Sequence, residues 1–403
     1  MPRFETIDTL PALRGGAAGI RVLLRGDLNV PMRNGLIADA TRIERLRPTI
    51  EELTKRGCKV IVMSHFDRPK GKVVPEMSLR PLLPFLVEAF GGQEIAFLAH
   101  PLGEPAKEIV ARLPNGRLAL AENLRFFAGE EANDEEFTRA LAELGDAFVN
   151  DAFSVAHRAH ASTEGLARIM PAAAGRAMQS ELEALEVALA NPERPVVAII
   201  GGAKVSTKLN VLENLVRKVD RLVIGGAMAN TFLYAQGAEV GSSLCEKDMV
   251  AAAQKVTRNA TEAGCRLILP SDVVIADQLK LGSIGETVPI SAVPSHMMIL
   301  DIGTETAQTI TTELASCKTV LWNGPLGAFE FPPFDKGTKI VSQAVAQLTT
   351  QSKLHSIAGG GDTIAALASS NVLAHFSYVS AAGGAFLEWL EGKELPAVAA
   401  LYA

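Results

Sequence analysis

The sequence predicts an α/β protein made of two Rossmann-like, three-layer domains with mainly parallel sheets, joined by a hinge helix. Three observations lead there. Short runs rich in Val, Ile and Leu recur, each followed by glycine or a polar residue and then by amphipathic sequence of helical length. The runs are apolar throughout rather than alternating, as strands covered on both faces are. At 403 residues, 48% hydrophobic and 21% charged, the chain exceeds what one core ordinarily supports.

Taken in order, strands are expected near 20–24, 60–63, 95–98, 118–120 and 147–149 in the first half. In the second half they are expected near 196–200, 222–224, 267–269, 298–300, 320–322, 356–358 and 378–380. Between the halves, residues 179–190 are rich in leucine and glutamate, contain no Gly or Pro, and end at Asn191-Pro192 and Arg194-Pro195. They read as the helix connecting the domains. Ligands of open α/β sheets lie beyond the carboxyl ends of the strands, so each sheet should own one crevice.

The net charge of −6 argues against a nucleic-acid partner, which needs a basic face to displace counterions. Any anion site must therefore be locally basic. No apolar run approaches the roughly 20 residues needed to span a bilayer, so no membrane partner is expected. Met1-Pro2-Arg3-Phe4-Glu5 lacks the regions of a secretion signal, and a cytoplasmic location is the expectation. Cys58, Cys245, Cys265 and Cys317 lie far apart without C-x-x-C spacing, which suggests reduced, buried thiols rather than a zinc site or disulfides.

Two kinds of anion chemistry follow the strands. In the first half, Arg25-Gly26-Asp27-Leu28-Asn29-Val30-Pro31 closes one strand. There Asp27 and Asn29 suit a substrate hydroxyl, and an Asx-type turn before proline reads the same residues. Ser64-His65-Phe66-Asp67-Arg68-Pro69, Glu122-Asn123-Leu124-Arg125-Phe126 and Asn150-Asp151-Ala152-Phe153, leading to His157, Arg158 and His160, close three more. Arg42 stands alone in Thr41-Arg42-Ile43. Arginine or histidine after four strands should meet at one rim, where like charges are unfavourable without an anion between them.

In the second half, strand 196–200 runs straight into Gly201-Gly202-Ala203-Lys204, with Lys208 four residues on. Glycine amides at a helix start, with two lysines on one helical face, suit a nucleotide polyphosphate. This is not the Walker pattern. Gly359-Gly360-Gly361-Asp362-Thr363 repeats the logic, adding a carboxylate for Mg2+ and a threonine to cap the next helix. Asn323-Gly324-Pro325-Leu326-Gly327-Ala328-Phe329-Glu330 offers an apolar wall and a carboxylate suited to ribose hydroxyls, and Gly225-Gly226-Ala227-Met228 offers flat backbone for adenine. A dehydrogenase is disfavoured because no G-x-G-x-x-G opens the first helix of either half.

The ordered set resembles the phosphoglycerate kinase family over essentially the whole chain. The family's R-V-D-x-N-V-P, S-H-x-G-R-P, E-N-x-R-F and H-R-A-H resemble residues 25–31, 64–69, 122–126 and 157–160. Its G-G-A-K-V-x-x-K, W-N-G-P-x-G-x-F-E and G-G-G-D-[TS] resemble 201–208, 322–330 and 359–363. The resemblance implies that Asp27, Asn29, Arg42, His65, Arg68, Arg125 and Arg158 bind 3-phosphoglycerate. It implies that Gly202, Lys204, Lys208, Gly226, Asn323, Glu330, Gly360, Gly361, Asp362 and Thr363 bind ADP or ATP, with Asp362 on Mg2+. Arg42, Lys204 and Gly361 would hold the transferring group between 1,3-bisphosphoglycerate and ADP after domain closure.

The resemblance also implies a monomer, with a 3-phosphoglycerate-binding domain over 1–172, a nucleotide-binding domain over 173–391 and a tail, 392–403, packed on the first. The runner-up is a non-catalytic relative that has lost turnover. Departures from the family pattern are Gly26 for valine, Asp67 for glycine, Ala381-Ala382 for Thr-Gly, and Ala397 for glycine.

Overall fold

The protein is described by a computed structural model covering residues 4–14 and 16–402. It divides into two compact units, Met1–Leu182 with Glu394–Ala403, and Glu183–Lys393.

The first unit is built on six parallel strands in the order Ile95–Leu98, Leu118–Ala121, Lys59–Met63, Arg21–Arg25, Ala147–Asn150 and Ala172–Ala174. Val22, Leu23 and Leu24 are wholly buried, the mark of a strand covered on both faces. Helix Thr41–Lys55 buries Ile43, Leu46, Ile50 and Leu53, spaced by three and four residues, against Val22, Leu24, Val60 and Val62. Each such side chain contributes about 1.5–3 kcal/mol relative to exposure. Strand order reverses at Arg21–Arg25, which leaves a crevice between its end and that of Ala147–Asn150.

The boundary falls later than the expected 172/173. Ala172–Ala174 pairs in parallel with Ala147–Asn150. Arg176 forms ion pairs with Asp8 at 2.8 Å and Glu52 at 2.7 Å, and the Met178 N–H donates to Asp151 Oδ1 at 2.9 Å. These contacts keep residues up to Leu182 in the first unit. The connecting helix runs over Arg176–Leu185 and continues as a wider π-type turn over Glu186–Ala190. In the tail, the Ala397 N–H donates to Ala156 O at 3.1 Å, and Tyr402 meets the Phe4 ring edge-on.

The second unit also has a six-stranded parallel sheet, in the order Arg266–Ile268, Arg221–Ile224, Val196–Ile200, Thr319–Asn323, His355–Gly359 and Tyr378–Ser380. Its order reverses between Val196–Ile200 and Thr319–Asn323, the strands that end in Gly201 and Asn323. One expected strand belongs elsewhere. Met298–Ile302 joins Asp272–Ala276 and Glu286–Pro289 in a separate antiparallel sheet. Asp272 fixes that arrangement: its carboxylate accepts the Glu305 and Thr306 N–H groups at 3.0 and 2.7 Å, capping helix Thr304–Ala315, which directly follows Met298–Ile302.

Candidate functional site

The strand ends of the first unit bring most of the expected basic residues together. Asp27, 9% exposed, is held from three sides. Arg42 lies 3.1 Å from its Oδ2, Ser154 Oγ donates to the same oxygen at 2.5 Å, and the Asn29 N–H donates to Oδ1 at 3.1 Å. The last contact is the Asx turn, which therefore coexists with a carboxylate turned toward a cation. Arg42 also donates to Asn29 O at 2.8 Å, and Asn29 Oδ1 accepts the Asp67 N–H at 2.9 Å.

Asp67 sits at φ 55°, left-handed backbone that glycine adopts freely and aspartate tolerates better than most residues. That explains how the chain departs from glycine here without remaking the turn. The Asp67 carbonyl accepts from Arg125 Nη1 at 3.0 Å, so one residue ties Asn29 to Arg125. Arg125 is 4% exposed with Glu131 3.3 Å from its Nε, whereas Arg68 is exposed and Arg158 half-buried.

His65 lies at the centre of this group. Burial pushes its pKa well down, and Arg25, Arg125, Arg42 and His160 push the same way. Burial likewise lowers His160 to about 4, helped by Arg125, Arg25 and Arg158. Neutral imidazoles ringed by guanidinium groups form a strongly positive pocket ready for an anion. Arg25, expected at the rim with the other strand-end arginines, is instead fully buried and donates to His65 Nδ1 at 3.0 Å.

In the second unit the glycine-rich strand ends meet around a cavity of about 460 Å³ lined by Gly202, Gly226, Leu300, Leu326, Glu330, Phe331 and Asp362, among others. Several of these glycines are sterically required, Gly226 and Gly360 among them. Gly226, at φ 66°, would place a Cβ 2.6 Å from Gly202 O, and Gly360, at φ 100°, would place one 2.6 Å from Asn323 Nδ2. Gly361 begins helix Gly361–Ser369 with open space at its Cβ position, and the first amides of that helix have no partner within it. Asp362 follows, exposed, and its charge acts on Lys208.

Several expectations change. Lys204 and Lys208 do not share a helical face, because the helix starts only at Leu209 and both precede it. Lys204 is exposed, whereas Lys208 folds inward, donating to Gly201 O and Asn323 Oδ1, each at 2.6 Å, and to Asn323 O at 3.1 Å. Burial lowers Lys208 to about 8. Asn323 spends its amide on Lys208 and on Gly359 O at 2.7 Å. Thr363 caps no helix: its hydroxyl donates to Gly359 O at 2.8 Å and accepts the Gly324 N–H at 2.7 Å. Asn323 and Thr363 thus brace the layer beneath the cavity.

Asp301, on the cavity wall and 2% exposed, had no place in the sequence reading. Burial raises it to about 8, against the Ile302 and Gly337 N–H groups that donate to it at 2.8 Å. A lone carboxylate inside the apolar run Met298-Ile299-Leu300-Asp301-Ile302 was the available signal. No cluster of three or more His, Cys, Asp or Glu with metal-binding geometry occurs among the described residues. Among those residues no helix is long and apolar enough to cross a membrane.

The sequence profile of the phosphoglycerate kinase family matches residues 15–393. The chain is 58% identical over 384 residues to a phosphoglycerate kinase of Cereibacter sphaeroides, covering 95% of this chain and 97% of that one. It is 56% identical over 403 residues to one of Methylorubrum populi, with both chains fully covered. The solved phosphoglycerate kinase of Coxiella burnetii superposes with a TM-score of 0.89 at 44% identity, covering 96% of this chain and 97% of that one. By fold, motifs and extent of match, the chain belongs to the phosphoglycerate kinase family.

Proposed function

We propose that the basic pocket of the first unit binds 3-phosphoglycerate and the glycine-rimmed cavity of the second binds ADP or ATP. On this reading the chain carries out the family's reaction, reversible phosphoryl transfer from 1,3-bisphosphoglycerate to ADP. One observation carries it: the two strand-order reversals end in opposite anion chemistries. One gathers Arg42, Arg125 and His65, and the other opens on the cavity lined by Gly202 and Gly226. Guanidinium and imidazole groups fix a small acid by directed hydrogen bonds, whereas glycine amides admit a polyphosphate.

In the direction of 1,3-bisphosphoglycerate synthesis the attacking group is a carboxylate, ionised at neutral pH, so no general base is required. Positioning and charge neutralisation then carry the rate. Arg42, braced by Asp27 and Asn29, holds the phosphoryl group from the acid side; Lys204 and the Gly361 amide hold it from the nucleotide side. Arg68 and Arg158 close the acid site, and Glu330 meets the ribose.

Asp362 fits a Mg2+ site of the sparse kind, an exposed carboxylate in the first turn of a helix, since Mg2+ keeps water and takes few protein ligands. The metal, when bound, supplies charge neutralisation at the nucleotide phosphates. Domain closure on binding both ligands is the proposed means of joining the two sites. A coupled assay with 3-phosphoglycerate and MgATP tests the function. Steady turnover supports it, and ligand binding without turnover would favour the non-catalytic alternative.

A further inference from the structure

A chain of buried polar groups runs from behind the first unit's site to His65. Arg25 and Ser162 are 0% exposed, as is Glu130, and His65 is 3% exposed. Arg25 spends its donors on Ser162 Oγ from Nε at 2.9 Å, Gly26 O from Nη1 at 2.5 Å, and His65 Nδ1 from Nη2 at 3.0 Å. Ser162 passes the link to Glu130: its hydroxyl lies 2.6 Å from Oε1 and its N–H donates to Oε2 at 3.0 Å.

The direction of each bond is fixed by chemistry. Guanidinium nitrogens only donate. Ser162 Oγ therefore accepts from Arg25 and has its single proton for Glu130. Both Glu130 oxygens then accept; burial raises its pKa, while the Arg25 charge and the two Ser162 donors oppose that and favour the carboxylate, the counter-charge a fully buried guanidinium needs. At the other end, His65 Nδ1 must accept from Arg25, so the ring's one proton resides on Nε2.

We infer that Glu130 and Ser162 are positioning residues which, by holding Arg25, lock His65 as the neutral tautomer that presents an Nε2–H donor to an oxygen of the substrate. The inference rests on the reading of this site as the one for 3-phosphoglycerate. The surrounding charged and titratable groups act with it. Arg42, Arg125 and His160 all oppose protonation of His65, so the ring stays a single-proton donor. Glu131 and Asp27 are engaged with Arg125 and Arg42.

The test begins with nitrogen NMR of the full chain, histidine-labelled and ligand-free, at neutral pH. His65 is expected with Nε2 protonated and Nδ1 bare, and the opposite assignment overturns the inference. In Ser162→Ala and Glu130→Gln the His65 signals should move toward a tautomer mixture. KM for 3-phosphoglycerate should rise roughly tenfold, about the loss of one hydrogen bond, while KM for ATP holds. Folded variants with wild-type His65 signals, or shifted signals with an unchanged KM for 3-phosphoglycerate, would overturn it. Should both variants fail to fold, His65→Gln and His65→Asn decide. The glutamine amide reaches where Nε2 does and should keep more affinity, and a better asparagine variant would contradict the account. Failure of the functional reading shows separately, as absence of turnover in the unaltered chain whose tautomer is still measurable.

Discussion

Lys208 Nζ donates to Asn323 Oδ1 at 2.6 Å, and this pair closes the floor between the two strand ends of the second unit's switch point. The ammonium is bonded only to neutral oxygens, and burial holds its pKa near 8. Between about 8 and the ordinary lysine value of 10.5 the unfolded chain binds the proton more tightly, so this group's contribution to stability rises with pH across that window. A polyphosphate beside the ammonium favours its charged form. ADP binding near pH 8 should therefore take up a proton. Calorimetry in buffers of different ionisation heat should read that uptake and lose it in Lys208→Met, and buffer-independent heats in the unaltered chain would contradict it.

Arg42 is braced by Asp27 Oδ2 at 3.1 Å and Asn29 O at 2.8 Å, which fixes its guanidinium before substrate arrives. A preorganised cation at the transferring group acts mainly in the transition state, so Arg42→Ala should lower kcat by at least ~10²-fold with folding retained. A variant with near-normal kcat and a raised KM would assign Arg42 to ground-state binding.

Asp362→Asn should raise the Mg2+ concentration needed for half-maximal activity, because the exposed carboxylate at the helix start is the proposed protein ligand. An unchanged Mg2+ titration would remove the metal role.

Gly26 stands where the family usually has valine, and the space is already filled: a Cβ at Gly26 would lie 2.6 Å from Leu46 Cδ2. Gly26→Val should destabilise the chain by about 1–3 kcal/mol through overpacking, and Leu46→Ala in the same chain should recover part of it. Thermal unfolding of the single and double variants checks this, and equal melting temperatures for Gly26→Val and the unaltered chain would refute it.

The parallel sheets were legible because buried strands announce themselves as unbroken apolar runs. Residues 95–98, 196–200 and 378–380 are strands with those bounds. The antiparallel sheet was not, since Glu286–Pro289 is an exposed edge with little hydrophobic signal and pairs through register rather than composition. Glycine-rich strand ends were legible as cavity rims. That Lys208 and Asn323 bond to each other rather than line the cavity depends on partners 115 residues apart, which no local pattern records.

Glu130 was hidden for the same reason. In Gly129-Glu130-Glu131-Ala132-Asn133-Asp134 it reads as a solvated acidic face, yet its partner Ser162 lies 32 residues on. The two alanines in place of Thr-Gly are also clearer in three dimensions. Ala382 sits at φ −101°, and Ala381 is absent from the positive-φ residues. Alanine is therefore unstrained at both positions.

The central claim is a division of labour between two anion sites, and paired calorimetry on two exposed cations tests it most directly. Arg68→Ala should weaken 3-phosphoglycerate binding and leave ADP binding unchanged, whereas Lys204→Ala should weaken ADP binding and leave 3-phosphoglycerate binding unchanged. Loss of the same ligand in both variants, or of both ligands in either folded variant, would contradict it.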